Sequence, residues 1–169
     1  MQRSITTEWP RDTREKVDAP PGARSKSEAW TTWLKHIIRW NGALYLSFFG
    51  LGLVAILLSL TTGFGVEPWL LARIRWGHGG GEAYEMMICV IYITWGIFLW
   101  RVAAAPTRHR TFIDFTLVAN AVHFGTMFLE SLFLHNEHPH LSGDVPLFSA
   151  LLVLLAVAWI PVRRTIEAT

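Results

Sequence analysis

The chain has 169 residues, 51% of them hydrophobic, with a formal net charge of +2 and a mean hydropathy of +0.31. That is too apolar for a soluble domain of this size and points to one membrane-embedded domain. The small net charge makes nucleic acid an unfit partner, and the lone cysteine, Cys89, excludes an internal disulfide, thiol-redox chemistry and an iron–sulfur site.

In chain order, residues 1–27 form a polar arm of mixed charge, interrupted by the breaker APPG at Ala19–Gly22. Such a segment has too little apolar surface to order itself. Its opening lacks a charged n-region followed by a short apolar stretch, so no signal peptide is expected. SEAWTTWLKHIIRW follows, with Trp30, Trp33, Leu34, Ile37 and Ile38 at helical spacing. Residues 28–40 therefore read as an amphipathic helix in the membrane interface or as the first turns of the span that follows.

Four runs approach the roughly 20 apolar residues that cross a ~30 Å hydrocarbon core. They are Gly42–Thr61, Ala83–Trp100, Thr111–Leu134 and the shorter Pro146–Ile160. The link from Gly63 to Glu82 contains WLLARIRW and HGGG at His78–Gly81; without a G-x-S-x-G elbow, HGGG reads as a glycine hinge. Glu82 and Glu85 suit the dipole at the start of the second span. Thr111 and Asp114 have capping-box spacing, and Asp144 with Pro146 suits the start of the fourth span. Trp40, Trp100 and Trp159 fall at one expected boundary, Trp69 and Trp76 at the other, as an interfacial belt would.

Lysine and arginine set the orientation. Eight of them precede Trp40, while Arg101, Arg108 and Arg110 follow the second span and Arg163 and Arg164 the fourth; only Arg73 and Arg75 occupy the opposite links. Both termini are thus expected in the cytoplasm, with the loop HNEHPH facing outward. The fold expected is all-α, a four-helix transmembrane bundle with a cytoplasmic arm (1–27), an interfacial helix (28–40), a membrane domain (41–162) and a short tail (163–169).

The third span carries a polar seam, Thr116, Asn120, His123, Met127 and Glu130, at 4-3-4-3 spacing. Polar groups in hydrocarbon turn inward, so the seam should face the other helices. At ~1.5 Å per residue, His123 lies roughly 16 Å below the outer helix end and Glu130 about 6 Å below it. On the antiparallel second span Glu85, Cys89, Tyr92 and Gly96 share one face, which brings Glu85 level with Glu130 and Tyr92 level with His123.

Two chemistries follow from this arrangement. Glu85, Glu130, His135, His138, His140 and Asp144 are carboxylate and imidazole donors of the kind that bind a divalent metal. The deeper layer of Tyr92, Asn120 and His123 is either a hydrogen-bonded core or, through His123, an axial ligand for haem or a chlorin.

AYEMMICVIYITWGIFL, PTRHRTFIDFT, Val122–His123 and HLSGDVP resemble a family of small bacterial four-span membrane proteins of unknown function, over roughly residues 83–161. The matching positions are Tyr84, Glu85, Met86, His109, Arg110, Phe115, Thr116, His123, Gly143, Asp144, Val145 and Pro146. The resemblance implies four helices in a bacterial inner membrane and no particular chemistry.

The functional expectation is a non-catalytic accessory or scaffold subunit of a larger membrane complex of electron-transfer, photosynthetic or respiratory type. Its contacts would be lipid and a partner protein gripped by the arm through Trp9, Trp30 and Trp33. The alternative is a metal-binding protein or metal-dependent enzyme with an outward-facing Glu/His site.

Overall fold

The computed structural model describes residues 21–62 and 81–168, without the side chains of residues 21–27 and 82. The described residues form four long helices: α1 (Pro21–Thr62), α2 (Glu82–Val102), α3 (Arg110–Phe133) and α4 (Asp144–Glu167). A 3-10 turn at Pro106–Arg108 joins α2 to α3, and a longer one at His135–Ser142 joins α3 to α4. Each helix contains a stretch long and apolar enough to cross a membrane, and the four form a helical bundle. Trp9 and the rest of residues 1–20 lie outside the described residues, as do Trp69, Trp76 and most of the HGGG hinge.

Among the described residues, one end of the bundle gathers Arg39, Arg101, Arg108, Arg110, Arg163 and Arg164, and the other carries the histidine-rich turn; these are called the basic end and the histidine end below. α1 is a single helix of 42 residues. The breaker sequence starts it, because Pro21 occupies the first helical position, where its missing N–H would be unpaired in any case. Residues 28–40 run without a break into the first span, and Leu34 and Ile38 are fully buried in the core.

α4 is longer than its apolar run. It continues through Pro161 to Glu167, and the Thr165 hydroxyl donates to the Pro161 carbonyl at 3.0 Å.

α1 packs most extensively on α2 and then on α4, while α3 leans on α4 and on the His135–Ser142 turn. Two glycines set the α1–α2 contact. A Cβ on Gly42 would stand 2.9 Å from the carbonyl oxygen of Gly96, and a Cβ on Gly96 would stand 2.9 Å from that of Gly42. Both obstacles are backbone, so neither position accepts a larger side chain without separating the helices. This is the close approach that small residues allow between membrane helices. Gly50, also on α1, has nothing within 4 Å of its added Cβ and takes no part in this seam.

The centre is aromatic, with one ring from each helix. Phe49 of α1 stacks on Tyr92 of α2 at 4.4 Å and on Phe148 of α4 at 5.4 Å, and Phe148 stacks on Phe124 of α3 at 5.5 Å. Large apolar side chains on the outside, among them Val118, Val122, Phe133 and Val153, suit contact with lipid.

Gly96→Val should destabilise the protein in detergent by about 1–3 kcal/mol, the usual cost of overpacking. Gly50→Ala should leave the unfolding midpoint unchanged or raise it. Equal losses in the two variants, followed by tryptophan fluorescence, would remove the special role given to the Gly42–Gly96 crossing.

Candidate functional site

The polar groups inside the bundle fall into three places. The first is mid-bundle, around Asn120, whose side chain is fully buried. An amide oxygen in hydrocarbon needs donors for its two lone pairs. Here the hydroxyls of Tyr45 on α1 and Tyr92 on α2 both donate to Asn120 Oδ1, at 3.1 and 3.2 Å, and Asn120 Nδ2 donates to the Thr116 carbonyl at 2.8 Å. One turn away, Trp95 Nε1 donates to Thr116 Oγ1 at 3.0 Å, and that hydroxyl donates to the Phe112 carbonyl at 2.8 Å. Three helices are thereby tied through two side chains of α3.

His123 lies above this layer, half-buried, with its ring centroid 5.5 Å from that of Tyr92. The Tyr92–His123 layer expected from helix register is therefore present.

The second place is the histidine end. His140 is fully buried, and its Nδ1 donates to Asp144 Oδ1 at 2.8 Å. The same oxygen accepts the Val145 backbone N–H at 2.9 Å; Asp144 is the first residue of α4 and not the N-cap expected of it, a position taken by Gly143. Glu137 Oε2 approaches the other side of the ring, 3.4 Å from Nε2. The Nδ1 bond to Asp144 holds the imidazole and fastens the turn to the first residue of α4.

The third place is the basic end. Asp114 Oδ1 accepts from Trp159 Nε1 at 2.7 Å and from Arg163 at 3.1 Å, and Arg163 also bonds Glu167. Two expectations are corrected here. Asp114 does not close a capping box with Thr111, because α3 begins at Arg110 and Thr111 is already its second residue. Trp159 is not part of an interfacial belt: it is 1% exposed, and Asp114 supplies the acceptor that lets an indole be buried. Trp40 and Trp100 are exposed at that boundary, as a belt requires.

The six residues read as metal donors are divided among different environments. Glu85 is buried on α2, whereas Glu130 is exposed on the last turn of α3. His140 and Asp144 are bound to each other, and His135 and His138 are exposed together, with ring centroids 5.0 Å apart. Among the described residues no three histidine, cysteine, aspartate or glutamate side chains converge as a metal centre. Proximity in sequence failed as a guide because the turn winds as a 3-10 helix of three residues per turn, which groups His135 with His138 on one side and Glu137 with His140 on another.

Sequence reasoning passed over Tyr45, Trp95, Glu137 and the Asp114–Trp159 bond. Tyr45 carried a usable signal: it is the sole phenol in the first span, in phase with the buried Leu34, Ile38 and Phe49. Asp114 carried another, as an acid inside a span whose antiparallel neighbour ends in arginine.

The sequence model of a family described as a family of unknown function, DUF6632, matches residues 42–165, and the chain belongs to that family. The match reaches back to Gly42 and so takes in all four helices, further than the resemblance over residues 83–161. No curated protein and no solved structure matches the chain.

Asn120→Ala leaves two buried phenols without their acceptor and should cost about 1–3 kcal/mol of stability. Tyr45→Phe and Tyr92→Phe should each cost less, and either change should be nearly silent once Asn120 is already alanine. A double-mutant cycle showing full additivity would mean that the hydroxyls draw no stability from Asn120.

Proposed function

We propose that the protein is a non-catalytic membrane subunit that docks onto a partner protein through the N-terminal end of α1. The observation that carries this reading is the length of α1: 42 residues, about 63 Å, or roughly twice the depth of a hydrocarbon core. No other described helix exceeds 24 residues. Leu34 and Ile38 are the first core residues of α1 among the described side chains, and no other described helix matches the extent of the turns before them. Trp30 and Trp33 stand on this projecting part, 40% and 65% exposed, together with Glu28 and the nearby Lys35. Tryptophan is the residue most often found as an anchor at protein interfaces. The projection also precedes residue 42, where the family match begins, which suits a feature belonging to this chain's own partner.

The interior supports the same reading. Tyr45, Tyr92, Thr116 and Asn120 satisfy one another, and Asp114 binds Trp159 and Arg163, as in a bundle built to hold its shape. The competing reading, a metal-dependent enzyme using the full Glu/His set, is weaker because Glu85 and Glu130 differ in burial and His140 is held by Asp144.

The basic end faces the cytoplasm in this proposal, since Arg39, Arg101, Arg108, Arg110, Arg163 and Arg164 all lie there. The partner is then a component of a cytoplasmic-membrane complex.

Two measurements test these statements. Mild detergent extraction from the native membrane should recover a stoichiometric partner with the full chain, and Trp30→Ala with Trp33→Ala should release it while the bundle stays folded. Recovery of the chain alone, or an unchanged partner in the double variant, would overturn the docking role. Separately, a membrane-impermeant thiol reagent should label cysteine introduced at Arg108 only after the membrane is opened, and cysteine introduced at Asn136 in intact cells. The reverse pattern would invert the orientation.

A further inference from the structure

His135 and His138 are at i and i+3 of the 3-10 turn His135–Ser142. A 3-10 helix has three residues per turn, so side chains at this spacing eclipse one another. Both imidazoles are exposed, their centroids are 5.0 Å apart and their planes meet at 60°.

The proton on one ring is fixed. His138 Nδ1 lies 3.1 Å from the Leu134 carbonyl oxygen, and a carbonyl can only accept. His138 therefore carries its hydrogen on Nδ1 and donates it, which leaves the lone pair of Nε2 directed outward. Metal-binding histidines are typically arranged in this way, with the second ring nitrogen held by a carbonyl or carboxylate.

We propose that His135 and His138 form a surface chelate for a borderline divalent transition metal ion such as zinc, copper(II) or nickel, with water completing the coordination. The spacing fits. A nitrogen about 2.0–2.1 Å from the ion puts its ring centroid about 3.2 Å away, and centroids 5.0 Å apart then subtend about 100° at the ion, near the tetrahedral angle. The His135 ring has no hydrogen bond to another described residue, so it can turn a nitrogen toward the ion without breaking one.

The neighbouring donors do not join. Glu137 directs Oε2 toward His140, 3.4 Å from Nε2, and His140 is bonded to Asp144, so both lie on the other side of the turn. With two protein ligands the ion is exchangeable. Imidazole donors favour copper, nickel and zinc over calcium and magnesium, whose preferred ligands are oxygens. This site goes beyond the docking reading and does not depend on it, because it lies at the opposite end of the bundle from Trp30 and Trp33.

The test uses the full chain in lipid nanodiscs, purified without a histidine tag and titrated with zinc chloride and copper(II) chloride by calorimetry. A single ion should bind per chain, copper more tightly than zinc, while calcium and magnesium give no heat. His135→Ala and His138→Ala should each weaken binding about tenfold or more. His36→Ala combined with His109→Ala, two exposed histidines at the basic end, should change nothing. Pulsed electron paramagnetic resonance of the copper form should detect two imidazole nitrogens in the wild type and one in either single variant. The proposal is overturned by an absence of binding at millimolar ion, or by undiminished binding in the His135→Ala/His138→Ala double variant. Because both side chains are exposed, loss of fold would be visible independently in the unfolding midpoint.

Discussion

The oxygen of Asn120 has to find two donors in a place without water, and the positions of three helices follow from that demand. Buried amides in hydrocarbon are costly unless their lone pairs are filled. Tyr45 reaches it from α1 and Tyr92 from α2, so α3 can sit at one rotation and one depth relative to that pair. The stacked rings of Phe49, Phe124 and Phe148 then fill the space that these hydrogen bonds define, and bring α4 to the same centre. A purely aliphatic interface between membrane helices would tolerate sliding by a turn. This one does not, because sliding would strand two hydroxyls and an amide together.

The bundle was legible in the sequence where burial follows a simple period. On α2 the predicted face of Glu85, Cys89, Tyr92 and Gly96 is buried throughout. On α3 the seam is buried at Thr116 and Asn120, half-buried at His123 and Met127, and exposed at Glu130. That drift has a geometric cause: a 4-3-4-3 spacing averages 3.5 residues per turn, whereas the helix turns every 3.6, so a straight helix carries the seam slowly out of the interior. Near the histidine end, Phe124 and Ser131 take over the buried line.

Other features depended on pairings that one segment cannot announce. Whether Trp159 lies in the interface or in the core is decided by Asp114, 45 positions earlier, which offers its indole an acceptor. That residues 28–40 continue as one helix into the first span, with Leu34 and Ile38 in the core, likewise depends on partners on the other helices. The histidine turn is a third case. Its spacing gave the right residue types, but the 3-10 winding separates His140, turned inward to Asp144, from His135 and His138, turned outward. Residues that look like members of one set thus divide between a buried His140–Asp144 bond and an exposed histidine pair.

The contact between Gly42 and Gly96 also bears on biosynthesis. α1 and α2 are consecutive among the described helices and meet backbone to backbone at these glycines. They can therefore pair as a hairpin while the rest of the chain is still being made, as helices that insert first and associate afterwards do. That early hairpin would carry Tyr45 and Tyr92 with their hydroxyls facing lipid, and only the arrival of Asn120 on α3 relieves them. Assembly consequently has a direction: the glycines join the first pair, and the unsatisfied phenols draw in the second.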